Sequence, residues 1–152
     1  MPNLPAANRL RIGRYSEAGR IYLLTTTTHH RVPVFRDFIL GRMVVNQFRC
    51  AQNLGYASSL AWVVMPDHFH WLIELRHSSL SALMLATKSR SAREINARLG
   101  RSGRLWQKGF HDRTIRREEN VQAVARYIIA NPIRAGLVSR VQDYPLWDAI
   151  WV

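Results

Sequence analysis

Two histidines spaced two residues apart are the clearest candidates for chemistry in this sequence. They are His68 and His70, which flank Phe69. Because side chains alternate along a β-strand, both imidazoles would point to one face, where two of them can hold one metal ion. The simpler alternative is a pair of solvent-facing strand histidines that binds nothing. The spacing alone leaves both interpretations open.

A tyrosine and an asparagine on a predicted C-terminal helix form the second candidate. Tyr127 and Asn131 are four residues apart, so they share one face of that helix. A tyrosine at the edge of an apolar stripe is usually a core-edge residue with its hydroxyl in water. If that face meets His68 and His70, the hydroxyl becomes a workable nucleophile for phosphodiesters. A metal there would polarise the scissile phosphate and absorb charge in the transition state.

The hydrophobic pattern predicts the elements that must position these residues. Runs rich in β-branched and aromatic residues predict strands, and helical spacing of apolar residues predicts helices. The predicted strands are 20–30, 58–65, 68–75 and a segment 105–117 that bends or breaks at Gly109; the predicted helices are 36–54, 78–99 and 118–131. A βαββαβ order is typical of the ferredoxin-like split unit. We therefore predict an α+β fold with an antiparallel sheet, helices on one face and the other face free for a ligand.

Length and charge indicate a single domain that meets polyanions. A chain of 152 residues fits about one domain, and we predict a basic arm at 1–19, a domain at 20–138 and a tail at 139–152 that packs back on it. The formal net charge is +12, and 20 of the 22 basic residues are arginines, which grip phosphate and guanine with a planar fork. Arginine-rich codon usage explains the arginine-to-lysine ratio equally well, but not the net charge.

The basic residues are concentrated in one part of the chain. Segment 76–117 holds eleven of them against Glu94 and Asp112, a local charge of +9. Aromatic residues interleaved with arginines can stack unpaired bases. We predict that Trp106, in this segment, is buried. A nucleic acid is therefore the expected partner, and an acidic protein is not.

Cysteine usage and the N-terminal segment bear on the compartment. Cys50 is the single cysteine, so no internal disulfide and no thiolate metal cage can form. The N-terminal segment has no apolar region or cleavage site of a secretory signal. No apolar run approaches the roughly 18 residues of a membrane helix. These features predict a soluble cytoplasmic protein without a membrane partner.

Three runs of the sequence resemble one known family. They are VMPDHFHWLIEL at 64–75, GRLWQKGFHDRTIR at 103–116 and YIIANPIRAGLV at 127–138, preceded by TTTTHHRVPVF at 25–35. In this order and spacing they resemble the REP-associated tyrosine transposases, a branch of the single-tyrosine HUH transposases of the insertion-sequence type. The resemblance implies the HUH endonuclease fold with a catalytic C-terminal helix. It also implies a single-stranded DNA partner, namely REP-like hairpins flanked by short guide sequences.

The resemblance also implies roles for individual residues. His68 and His70 match the metal-binding pair, Tyr127 matches the nucleophile and Asn131 matches the polar third metal ligand. Related transposases more often carry Gln at that last position, so direct ligation and ligation through water both remain open for Asn131. The implied cofactor is Mg²⁺ or Mn²⁺. The implied reaction is attack by the tyrosine on single-stranded DNA, which leaves a 5′-phosphotyrosine and a free 3′-OH.

Several basic residues are predicted to contact the DNA, and a nucleoid-associated location follows from that partner. These residues are Arg9, Arg11, Arg14, Arg104, Lys108, Arg113, Arg116 and Arg134. Two other functions remain open: a non-catalytic DNA- or RNA-binding protein on the same sheet, and a domesticated transposase that binds DNA structure without moving it. Relatives work as dimers or as monomers, and we favour a monomer.

Overall fold

The protein folds around one five-stranded antiparallel sheet. The computed structural model describes residues 16–116 and 119–151. The strands are β1 (Ile21–Thr27), β2 (Ala57–Met65), β3 (His68–Leu75), β4 (His111–Ile115) and β5 (Trp147–Ala149), in the order β4-β1-β3-β2-β5. The helices are α1 (Phe38–Asn53), α2 (Leu80–Leu99), α3 (Val121–Ile129) and the short α4 (Asn131–Arg134). The first six elements follow the order βαββαβ, which confirms the predicted ferredoxin-like α+β fold.

One face of the sheet forms the main core beneath α1 and α2. Every second residue of β3 from Phe69 onward is buried there, so Phe69 and Trp71 contact the helices. Phe48 of α1 stacks on Trp71 with ring centroids 4.4 Å apart. Trp106 is buried in the same core, as predicted. Because the side chains of β3 alternate, His70 must lie on the opposite face.

The opposite face is partly covered by α3, so the expectation of a free face is wrong for this region. Ala125 and Ile128 of α3 pack against Val63 of β2 and Leu72 of β3. The helix is strongly amphipathic, and it can bury its apolar stripe only on an apolar part of the sheet. Leu72 is two residues from His70 on the same strand face. The helix that carries Tyr127 therefore lies beside the histidine pair.

The start of α3 differs from the prediction of residue 118. The helix begins at Val121, because the side chain of Asn120 caps it by accepting a hydrogen bond from the backbone N–H of Ala123 at 3.1 Å. The carboxylate of Glu119 lies outside the helix and accepts from the backbone N–H of Arg116. The predicted strand 105–117 is likewise shortened to β4, since Gly109 adopts a positive φ of 81° just before it.

The C-terminal segment contributes a strand that the sequence pattern did not predict. Strand β5 pairs with β2 and extends the sheet by one edge. Just before it, the side chain of Leu146 is buried against Gly41 of α1. The hydroxyl of Tyr144 donates a hydrogen bond to the carbonyl of Val64. In the described part of the chain, no helix is long and apolar enough to cross a lipid bilayer.

Candidate functional site

The two histidines of β3 lie side by side on the face that α3 partly covers. The ring centroids of His68 and His70 are 5.0 Å apart, and the ring planes are nearly perpendicular. His70 faces Thr25 of β1 across the sheet, and the Thr25 hydroxyl lies 2.8 Å from Nδ1 of His70. When that nitrogen donates its proton to Thr25, the ring lone pair is on Nε2.

His68 is held by an acidic residue immediately before it. Nδ1 of His68 hydrogen-bonds Oδ1 of Asp67 at 2.7 Å, and Oδ2 of Asp67 pairs with Nε of Arg31 at 3.0 Å. Partial burial acts to raise the pKa of Asp67, but hydrogen bonds from His68 and Arg31 outweigh it, so the pKa of this carboxyl lies below its usual value. A carboxylate that accepts from Nδ1 fixes the imidazole orientation and leaves the lone pair on Nε2.

His70 is neutral at physiological pH. Burial first, and then the charges of His68 and Arg134, lower the pKa of His70 to about 4. A neutral imidazole with a lone pair on Nε2 is the form that binds a metal ion. Both histidines therefore have one nitrogen oriented by the protein and one nitrogen suited to a ligand.

The C-terminal helices carry the other predicted residues of the site. Tyr127 is 65% exposed near the end of α3. The guanidinium carbon of Arg134 lies 3.9 Å from the centroid of the Tyr127 ring. Nδ2 of Asn131 donates to the carbonyl of Ile128 at 3.0 Å, so Oδ1 of its amide points elsewhere. Helix α4 contacts β2, the neighbour of β3. The charge of Arg134 is one of the causes that lower the pKa of His70. The structure thus brings Tyr127, Asn131 and Arg134 to the side of the sheet that bears the histidines.

The donor set fits a metal ion only if the histidines have a third donor of another type. Within residues 16–116 and 119–151, no group of three His, Cys, Asp or Glu side chains could hold a metal. Oδ1 of Asn131 is a neutral oxygen donor, and hard divalent cations accept oxygen, water and imidazole ligands. The residues present are compatible with Mg²⁺ or Mn²⁺.

The predicted DNA-contacting residues occupy different surroundings. Arg104 and Lys108 are exposed in the segment between α2 and β4. Arg113 is exposed on β4 and forms an ion pair with Glu119, while Arg116 is exposed just after that strand. The predicted residues Arg9, Arg11 and Arg14 lie outside the residues that the structure describes.

No sequence pattern singles out Arg31, which the structure places beside the histidine pair. Arg31 and His30 have positive φ values of 54° and 56°, which are uncommon for residues other than glycine. Such strain costs about 1–3 kcal/mol per residue and is concentrated at functional sites. Burial, His30 and Arg104 lower the pKa of His29, so Arg104 lies close to the same turn. Arg31 and Asp67 are 36 positions apart in the chain, so no local sequence pattern indicates this ion pair.

The chain belongs to a family of transposases. Residues 19–131 match the family described as IS200-like transposases. This region includes the histidine pair, Tyr127 and Asn131. It also contains β1 to β4, four of the five strands of the sheet. The predicted family resemblance is thereby confirmed.

Individual relatives within the family bear REP-associated names. The chain is 26% identical over 143 residues to a Haemophilus influenzae protein provisionally named a REP-associated tyrosine transposase, covering 84% of this chain and 78% of that protein. It is 28% identical over 87 residues to the REP-associated tyrosine transposase of Escherichia coli K12, covering 56% of this chain and 50% of that protein.

Solved structures show the same fold. A REP-associated tyrosine transposase bound to a REP hairpin superposes with a TM-score of 0.74 at 22% identity, covering 88% of this chain and 79% of that one. A provisionally named transposase from Deinococcus radiodurans R1 gives a TM-score of 0.54 at 22% identity, covering 80% of this chain and 94% of that one.

Proposed function

We propose that this protein is a metal-dependent endonuclease and strand transferase that cleaves single-stranded DNA beside REP-type hairpins through a 5′-phosphotyrosine. One observation carries the proposal: an oriented histidine pair, of which His70 is neutral, lies on the sheet face that is flanked by the helix bearing an exposed tyrosine. A solvated tyrosine hydroxyl beside a metal-binding pair is the arrangement that transfer of a phosphodiester to a protein side chain requires.

His68, His70 and Asn131 are the residues that would hold the metal. When bound, Mg²⁺ or Mn²⁺ polarises the scissile phosphate and offsets the charge that develops on its oxygens. Asp67 and Thr25 keep the two imidazoles oriented, which reduces the reorganisation needed on metal binding. Burial keeps His70 unprotonated, so proton competition for this ligand is weak at neutral pH.

Tyr127 is the proposed nucleophile. Its hydroxyl loses its proton to solvent, and Oη forms a bond to phosphorus as the bond between phosphorus and the 3′-oxygen breaks. The departing 3′-oxygen takes a proton from water and becomes a free 3′-OH. The phosphodiester energy is kept in the phosphotyrosine, so another 3′-OH can attack it and rejoin strands. The exposure of Tyr127 allows a DNA strand to approach the ring.

REP-like hairpins with a flanking guide are the proposed partner. The fold matches that of a protein described as a REP-associated transposase bound to a REP hairpin. The exposed Arg104 and Lys108 between α2 and β4 provide phosphate contacts, and the net charge of +12 favours a polyanion. A DNA partner also makes nucleoid association the proposed location.

A covalent-adduct assay tests this proposal. Labelled single-stranded DNA with a REP-type hairpin and guide is incubated with the protein, with Mn²⁺ or with EDTA, and resolved on a denaturing gel. We expect a protein–DNA adduct with Mn²⁺ that disappears in Tyr127→Phe and persists in the matched control Tyr56→Phe. An adduct that survives in Tyr127→Phe would exclude Tyr127 as the nucleophile. Tight binding with no adduct across several guides would favour the non-catalytic or domesticated alternative.

A further inference from the structure

The geometry points to Arg134 as a further catalytic residue. Without DNA its guanidinium lies against the ring of Tyr127, and with DNA bound it contacts the scissile phosphate. This inference rests on the proposed function and assigns one step of it to a side chain. Arg134 then does more than add to the general affinity for DNA, because it neutralises charge at the reacting phosphorus.

Two contacts attach Arg134 to Tyr127. The guanidinium carbon lies 3.9 Å from the ring centroid, and Nη2 donates a hydrogen bond to the Tyr127 carbonyl at 2.7 Å. A guanidinium has five donors, so these contacts leave several N–H groups for another acceptor. Arg134 lies in α4, directly after α3, and is exposed. The guanidinium therefore lies against the ring of the proposed nucleophile.

The positive charge of Arg134 also acts on the histidine pair. Arg134 is one of the charges that act on His70, and α4 contacts the neighbouring strand β2. A phosphate placed between Tyr127 and the histidine pair would therefore lie within the field of this cation. Arginine matches two phosphate oxygens with its planar fork, which a point charge does not.

The step that Arg134 assists is the attack itself. As Oη of Tyr127 bonds to phosphorus and the 3′-oxygen leaves, negative charge accumulates on the non-bridging oxygens. A guanidinium positioned beforehand stabilises that charge without reorganisation during the reaction. Arg134 exchanges its contact with the Tyr127 carbonyl for one with a phosphate oxygen, and no proton is transferred to or from it.

A purely structural role is the competing explanation. An arginine that donates to a carbonyl in the last turn of a helix is a common helix C-terminal contact. In that case the loss of Arg134 changes stability and leaves the chemistry at the phosphate unchanged. The two explanations differ in whether the effect depends on the charge of the scissile phosphate.

The experiment measures the rate of adduct formation at saturating DNA and, separately, the dissociation constant of the protein–DNA complex. For Arg134→Ala we expect a rate about a hundredfold lower, as for loss of one transition-state donor, with a much smaller change in affinity. The matched control is Arg126→Ala, which removes an exposed arginine of α3 that points about 100° away from Tyr127 around the helix. Its rate should match that of the wild type, and melting curves should show that both variants are folded.

A second substrate makes the result specific to the phosphate. The scissile phosphate is replaced by an uncharged methylphosphonate, and a control DNA carries the same change one phosphate away. If Arg134 acts on the scissile phosphate, the ratio of wild-type to Arg134→Ala rates falls toward 1 on the first substrate and stays near a hundredfold on the second. A ratio that is equal on both substrates would overturn the inference.

The remaining outcomes are distinguishable from a failure of the proposed function. Equal rates in wild type and Arg134→Ala, with a robust wild-type adduct, would overturn the role of Arg134 and leave the nuclease proposal intact. No adduct in the wild type under any condition would overturn the proposed function and this inference with it.

Discussion

Asp67 accepts a hydrogen bond of 2.7 Å from Nδ1 of His68, the residue that follows it in the chain. Because the second oxygen of Asp67 pairs with Arg31, the carboxylate stays ionised and in place. His68 is thus oriented by a residue that sequence alone would also explain as a turn former. The pair of Pro66 and Asp67 turns the hairpin and supplies the orienting group at the same time.

Replacing Asp67 with Ala should weaken metal binding. Loss of a carboxylate that orients a ligand histidine typically costs about tenfold to a hundredfold in metal affinity. We expect that loss for Mn²⁺ measured by isothermal titration calorimetry on the DNA-free protein. The control is Asp143→Ala, since Asp143 forms an exposed ion pair with Arg140 far along the chain. Equal Mn²⁺ affinities in wild type and Asp67→Ala would show that Asp67 acts only in the turn.

The salt dependence of DNA binding should separate the predicted phosphate contacts. Arg104→Ala and Lys108→Ala should each reduce the slope of log affinity against log salt by about 1, because each removes a counterion-releasing contact. Arg113→Ala should change the slope less, since Arg113 is already paired with Glu119. Fluorescence anisotropy over a salt series measures the slopes. A slope that hardly responds to Arg104 and Lys108 would contradict their assignment.

Replacing Gly41 with Ala should destabilise the protein. A methyl group at this position of α1 would overlap Cδ1 of the buried Leu146, which packs beneath it. Overpacking a core contact of this kind costs about 1–3 kcal/mol of unfolding free energy, although alanine favours helices more than glycine does. Urea denaturation measures the difference, with Asn46→Ala at an exposed position of the same helix as control. A Gly41→Ala protein as stable as the control would mean that Leu146 moves away without cost.

Stability should fall at alkaline pH through Tyr144. Burial raises the pKa of Tyr144 from 10.0 to about 12, so above pH 10 the unfolded chain loses this proton before the folded protein does. The folded state then binds more protons than the unfolded state, and the unfolding free energy decreases as the pH rises from 10 toward 12. Urea denaturation at several pH values measures the decrease.

The variant Tyr144→Phe isolates that contribution. It lacks the hydrogen bond to the Val64 carbonyl, so its stability at neutral pH should be lower. Its unfolding free energy should decrease less steeply than that of the wild type between pH 10 and 12. Identical slopes in the two proteins would show that Tyr144 does not contribute to the alkaline transition.

Local patterns were sufficient to predict strands β1, β2 and β3 and helices α1 and α2 close to their observed bounds. The ends of β2 and β3 at their connecting turn were predicted correctly, because Pro66 and Asp67 interrupt two strongly strand-forming runs, and only the start of β2 differs, by one residue. The alternation within β3 also predicted correctly that His68 and His70 lie opposite Phe69 and Trp71. Strand β5 was missed, because three residues paired at a sheet edge leave too short a pattern to recognise.

The candidate site residues can be recognised in the sequence, but their spatial arrangement cannot. The run from His68 to His70 and the spacing of Tyr127 and Asn131 are visible in the chain, and so is their resemblance to a transposase family. Local spacing cannot show that α3 packs over Leu72 beside those histidines, since that depends on where its apolar stripe finds a matching surface.

The ferredoxin-like order of elements, the basic character and the two-residue spacing of the histidines can all be derived from the sequence without tertiary information. These follow from side-chain alternation, helical periodicity and charge, which act over a few residues. Three relationships become visible only in the folded protein: Arg31 pairs with Asp67, burial keeps His70 neutral, and Arg134 lies over the ring of Tyr127. Those relationships depend on desolvation and on contacts whose geometry is fixed only when the elements pack together.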